Sequence, residues 1–201
     1  SPNDRIAVPA IKVSLQAVLL QMAAAKKWGA ENHSKLDPLT VSMAPPDATV
    51  ALMSGAAGIT TVFSVPPFQA QQIRQPGIRT ILNSYDVLDG PATFTVAWTS
   101  AKFRKDNPVL YKALMAALAE ATEIVNKDRK AAAALWMADS NSKLPVDLIN
   151  SVITNPQVHW TLVPQNTMKF ATFMHTVGSI ATPPKTWQDL FFPEIHNVKG
   201  G

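Results

Sequence analysis

Two short stretches of the chain carry residue types and spacings suited to holding a small polar molecule. In "VPAIKVSLQ" (8–16) an apolar run stops at Pro9, and a short loop delivers Lys12, Val13 and Ser14 to the start of a helix-forming segment. A helix start offers unpaired backbone N–H groups and a partial positive charge, which suit a carboxylate, sulfonate or phosphate. In "VFSVPPFQ" (62–69) Pro66 and Pro67 end an extended run at one fixed place, because proline locks its own φ and restricts the residue before it. That corner presents Ser64, Val65 and Pro66 ahead of a second helix-forming segment. Both corners fall at the carboxyl ends of β-type runs, where ligands sit in open α/β sheets.

Bond-making chemistry has no comparable set of residues. His33, His159, His175 and His196 lack the i, i+4 spacing that would put two metal ligands on one helix face. The absence of cysteine removes thiol catalysis, cysteine-type zinc sites and disulfides together. "GAAG" (55–58) lacks the lysine and hydroxyl of a phosphate-cradling loop, and no Gly-x-Ser-x-Gly elbow is present. Asp47 reads as a helix cap rather than a general base. The expectation is a binding protein, not an enzyme, with no metal and no cofactor.

The elements that must position these corners alternate over the first ninety residues. "RIAV" (5–8), "LTVSM" (39–43), "ITTVF" (59–63) and "IRTIL" (78–82) read as strands. Between the first two, Ser14 caps "LQAVLLQMAAAKKW", which stops at Gly29; Leu15, Val18, Leu19, Met22 and Ala23 share one helical face. Asp47 caps "ATVALMS", which ends at Gly55. Such alternation predicts a mostly parallel sheet covered by helices, an α/β fold.

After "DVLDGP" (86–91) the pattern changes, and a domain boundary is expected near 90–100. One long β-type run, "ATFTVAWTS" (92–100), precedes a helix opening at Asp106 or Asn107 with Pro108 in its first turn, and a second helix restarts near Asp128. Leu110, Leu114, Leu118 and Ala121, with Ala117 beside them, form an apolar stripe that needs a packing partner. Further helices are read in "PVDLINSVI" (145–153) and "QNTMKFATFMHTV" (165–177), separated by the extended "QVHWTL" (157–162).

Composition agrees with a globular chain. Its 201 residues are 47% hydrophobic and 16% charged, enough for one sizeable core or two modest ones. No apolar run reaches the roughly 20 residues needed to span a bilayer. A net charge of +4 with dispersed Lys and Arg argues against a nucleic-acid footprint. The opening "SPNDRIAVP" has no charged and apolar leader, so the text itself contains no signal peptide.

Taken together, "DRIAVPAIKVSLQAVLLQMA", "APPDATVALMSGAAGITTVFSVPPFQ", "FTVAWTSAKFRKDNPVLYKALMAALAEATEIVNKDRKAAAALW" and "PKTWQDLFFPEIH" resemble the solute-binding proteins of ABC importers in the nitrate, sulfonate and taurine group, also called the thiamine-pyrimidine-synthase-like group. The resemblance runs from about residue 4 to residue 196. It implies a periplasmic-binding-protein type II architecture, with residues 4–91 as the second α/β lobe and residues 92–201 as a crossing strand plus the C-terminal helical part of the first lobe. The family's N-terminal stretch, which supplies much of the first lobe, has no counterpart in this text.

By the same resemblance, the chain captures a small organic solute, such as a sulfonate, carboxylate or heterocycle, and delivers it to a membrane permease from the periplasm or another extracytoplasmic compartment. Cleft closure would be the mechanism, and no bond would be made or broken. The residues implied as ligand contacts are Lys12, Val13, Ser14, Ser64, Val65 and Pro66, joined by Thr95 on the crossing strand. Many sulfonate and nitrate binders carry a tryptophan and an acid before the corner proline, where this chain has Val65 and Pro66. Two other uses of the fold are effector domains of transcription regulators, which need an upstream helix-turn-helix, and thiamine-pyrimidine enzymes, which depend on a cysteine-rich motif this chain lacks. With its apolar stripe uncovered, the chain is expected to self-associate.

Overall fold

A computed structural model describes residues 3–201 and shows a mixed α/β protein with a small parallel sheet. Strands β1 (Ile6–Val8), β2 (Thr40–Ser42) and β3 (Thr61–Val62) lie in the order β2-β1-β3. Ile6 pairs with both Thr40 and Thr61, so β1 is the central strand. All three of its residues are buried, as a strand covered on both faces requires.

Helix α1 (Leu15–Trp28) connects β1 to β2, and α2 (Pro45–Ser54) carries the chain back past β1 to β3. Crossovers running in opposite directions along a sheet place their helices on opposite faces when both are right-handed. The core follows that arrangement residue by residue. Ile6 and Val8 pack with Ala17 and Leu20 of α1, whereas Ala7, pointing the other way, packs with Ala48 and Ala51 of α2.

Local signals account for the helix ends. Ser14 Oγ accepts from Ala17 N at 3.2 Å, and Gly29 ends α1 at φ 95°, where an added Cβ would lie 2.4 Å from Glu31 Oε1. Gly55 closes α2 in the left-handed region. Asp47 does not cap α2: the helix begins two residues earlier at Pro45, with Ala44 at the cap position, because proline fits the first turn without a missing donor. Asp47 sits within that first turn, where its charge still complements the helix dipole.

The face Leu15, Leu19, Met22 and Ala23 packs against α4 (Ser84–Leu88) and α9 (Thr167–Thr176) through Val87, Leu88 and Phe170. A second stripe, Ala17, Leu20 and Ala24, is also buried; α1 is covered from two sides, so its burial is wider than one amphipathic face. Lys26 Nζ donates to Asp86 O at 2.8 Å and Asp89 Oδ1 at 2.7 Å, and Lys169 Nζ donates to Leu88 O. These two cations close the carboxyl end of α4. Lys26 first, and Lys169 beside it, hold the Asp89 carboxyl below its ordinary range.

Two expected strands are absent. Residues 78–82 and 92–100 form no ladder; Ile81, Phe94, Val96 and Trp98 are exposed, the last at 89%. β propensity expresses itself only where a neighbouring strand and a surface to pack on exist, and the sheet ends at the two-residue β3. The run holding Thr95 therefore forms no regular element and is not a crossing strand.

The chain divides into two compact units, the first formed by residues 1–92, 165–191 and 201, the second by 93–164 and 192–200. Residues 165–191 thus pack with the α/β part, where Trp187 is buried and meets Phe191 at 6.0 Å between ring centroids. The second unit is helical: α3 (Phe68–Gln72) belongs to the first, and α5 (Ala101–Asp106), α6 (Pro108–Lys127), α7 (Arg129–Ser140) and α8 (Val146–Ile153) to the second. Asp128 caps α7 by accepting from Lys130 N and Ala131 N, and Leu148, Ile149 and Ile153 of α8 are buried. Arg104 pairs with Glu194 at 2.7 Å and lies over the Tyr111 and Phe192 rings, which meet edge to face at 5.9 Å. That cluster fastens residues 192–195 to α5 and α6.

Candidate strand-end binding corners

The ladder brings the two sequence-predicted corners side by side. Met43 N donates to Val8 O at 2.9 Å and Phe63 N donates to Ala7 O at 3.0 Å, so the chain leaves all three strands at the same edge of the sheet. Neighbouring strands lie about 4.8 Å apart, and the turns that follow β1 and β3 are adjacent. A third corner follows β2, where Ser42 Oγ donates to Pro9 O at 3.0 Å and ties it to the first.

At the first corner Lys12 has a φ of 67°, and both Lys12 and Val13 are exposed. Ser14 is fully used in local structure: its hydroxyl donates to Ala10 O at 2.8 Å while accepting from Ala17 N. What this corner offers a ligand is the Lys12 ammonium and first-turn amides of α1, which carries no acidic residue there. The Ser14 side chain contributes by holding that turn in place.

The second corner differs in kind. Ser64 Oγ and, five residues on, Gln69 Oε1 are buried side-chain polar atoms with no hydrogen-bond partner. Buried polar groups are nearly always satisfied, and an unpaired one costs about 1–3 kcal/mol. The neighbouring polar pair shows the ordinary outcome: Gln72 Nε2 donates to Thr49 Oγ1 at 2.8 Å, and Thr49 Oγ1 donates to Pro45 O at 2.8 Å. The Pro66–Pro67 bond is cis, and α3 begins directly after it, with Gln69 N donating to Val65 O at 3.1 Å. Since Ser64 Oγ is hydrogen-bonded to nothing, no general base holds it as it would a nucleophile.

A groove of about 440 Å³ runs between α2 and α3, lined by Pro46, Thr49, Val50, Met53, Phe68 and Gln71. Its wall is largely apolar, with Thr49, Ser54 and Gln71 as its polar members. A second groove, about 410 Å³, lies between α1 and α9 beside Met22, Met168 and Phe173.

Lys12, Val13, Ser14, Ser64, Val65 and Pro66 thus share the sheet edge of the first unit. Thr95 belongs to the second unit, exposed in a run, 93–98, without regular secondary structure. Gln69 escaped sequence reasoning although it closes the stretch "VFSVPPFQ", because glutamine near a helix start is normally a solvated residue. Three histidine rings rest on local carbonyls: His33 on Ala30 O, His159 on Pro156 O and His175 on Ile180 O. Among the described residues no group of three or more His, Cys, Asp or Glu is placed to hold a metal, and no helix is long and apolar enough to cross a membrane. Comparison with family models, with curated proteins and with solved structures returns no match to the chain.

Proposed function

We propose that the chain binds a small organic solute at the strand-end corners of its first unit and serves as the solute-binding component of an ABC importer. The observation that carries this reading is the pair of buried, unpartnered acceptors, Ser64 Oγ and Gln69 Oε1, at the corner singled out by residue type alone. A protein tolerates such atoms where an incoming group will satisfy them. A hydroxyl that both donates and accepts, an amide carbonyl, and the Lys12 charge suit a solute with N–H or O–H donors and an anionic end.

In this reading the first unit is one lobe of a periplasmic-binding-protein architecture, working outside the cytoplasmic membrane and handing its solute to a permease. Binding costs no chemistry. The solute shifts the protein toward the form that holds it by its difference in affinity for the two forms.

The test is amide chemical-shift mapping of the chain with sulfonates, carboxylates and nitrogen heterocycles at about 10 mM, where even millimolar affinity is visible. Shifts concentrated at Ser64–Gln72 and Ser14–Gln16 are expected for at least one class. Silence at both corners across the whole panel overturns the reading.

A further inference from the structure

Resting on the binding reading above, we propose that the solute meets the second corner with a neutral amide edge, a carboxamide, urea or lactam, and carries its negative charge at the other end. The two unpartnered atoms make complementary demands. Gln69 Oε1 is a carbonyl oxygen and can only accept, so the group facing it has to bring an N–H or O–H. Ser64 Oγ neither donates nor accepts in the free protein, so its own hydrogen still needs an acceptor. Gln69 N donates to Val65 O at 3.1 Å, which brings Gln69 back beside the residue that follows Ser64. The N–H and C=O of one amide answer both demands.

Charge decides between the groups that could donate. The corners at 9–14, 43–46 and 64–69 contain a single ionisable side chain, Lys12, and the sequence from 48 to 85 holds no aspartate or glutamate. An ammonium set against Gln69 would lose its water with no carboxylate of this corner to pair it, whereas an amide N–H makes the same hydrogen bond without a charge. A sulfonate or carboxylate group fails there for the opposite reason, since it turns lone pairs toward the lone pairs of Oε1. A hydroxyl is neutral too, but the Gln69 side chain is itself an amide, with N–H groups on Nε2 beside Oε1, and pairs edge to edge with another amide through two hydrogen bonds. Exposed Lys12 is left for the anionic end.

The test uses matched acids that differ only in an amino group against a methyl group: succinamate with levulinate, and para-carbamoylbenzoate with para-acetylbenzoate. Succinamate is also set against γ-aminobutyrate and γ-hydroxybutyrate, and each compound is titrated into the full chain while amide shifts are followed. In at least one pair the carboxamide should bind about tenfold more tightly than the ketone, with shifts at Ser64–Gln72, and succinamate should exceed the ammonium and hydroxyl compounds. Gln69→Met keeps the length of the side chain and loses the acceptor, so the amide preference should disappear. Gln69→Glu supplies the missing carboxylate, and the preference should pass to γ-aminobutyrate. Circular dichroism checks that both variants stay folded, and the wild-type comparison stands without them. Ketones bound as tightly as carboxamides, a wild-type preference for the ammonium or hydroxyl compound, or an amide preference that survives Gln69→Met would overturn the amide edge while leaving binding at the corners intact. Silence at both corners with all six compounds would overturn the binding reading and this inference together.

Discussion

Ser14 and Ser64 stand at equivalent places in the chain, one after each strand, yet their hydroxyls are in opposite circumstances. Ser14 both donates and accepts, so Ser14→Ala should cost about 1 kcal/mol in denaturant titration, and Ser14→Thr should recover most of it. Ser64 has nothing to lose in the free protein. Elsewhere, single residues act through charge. Arg104, donating to Glu194, holds that carboxyl below its ordinary 4.5, with Tyr111 a lesser aid. A depressed carboxyl stabilises above its unfolded pKa, and the stabilisation fades as pH falls through the lower, folded value. The stability gap between wild type and Glu194→Gln should therefore be present at neutral pH and close as the pH falls below the ordinary glutamate range. A gap that persists there would show that the pair contributes through packing and neutral hydrogen bonds instead.

Among the elements, capping signals proved readable where a side chain meets an amide, and misleading where proline intervenes. Asp128 accepts from two first-turn amides of α7, so Asp128→Ala should lower stability by about 1 kcal/mol in equilibrium unfolding, whereas Asp47→Ala, at a position inside the first turn of α2, should cost no more than a few tenths. The strands of the small sheet were legible as apolar runs ended by turns, though each is shorter than its run. "IRTIL" and "ATFTVAWTS" carried the same β signal and paired with nothing, because a run of β-formers states a preference for a neighbour without supplying one. The width of α1's burial was likewise hidden. Gln16 and Gln21 are buried beside the apolar stripe, and Gln21 donates to Asp37 at 2.9 Å, a partnership that no periodicity reveals.

For the molecule as a whole, the first unit ends at residue 92 and takes back residues 165–191, a return that depends on long-range packing such as that of Phe170 against Leu19 and Leu88 and left no local mark. The irregular run after residue 92, with Phe94, Val96 and Trp98 exposed, should be the first site cut by chymotrypsin. Initial cleavage within α6 or α1 instead would contradict its openness. The corners were legible because prolines and a capping serine announce a stopped strand and a starting helix; Gln69 was not, since its burial is a property of the packed corner. Binding at that corner is the central claim, and the most direct test of it is the Ser64→Ala variant followed by amide shifts and by unfolding in parallel. The account predicts unchanged or higher stability, by up to about 1–3 kcal/mol, together with loss of the solute-induced shifts at Ser64–Gln72. A variant that is destabilised while its solute response stays intact would contradict it.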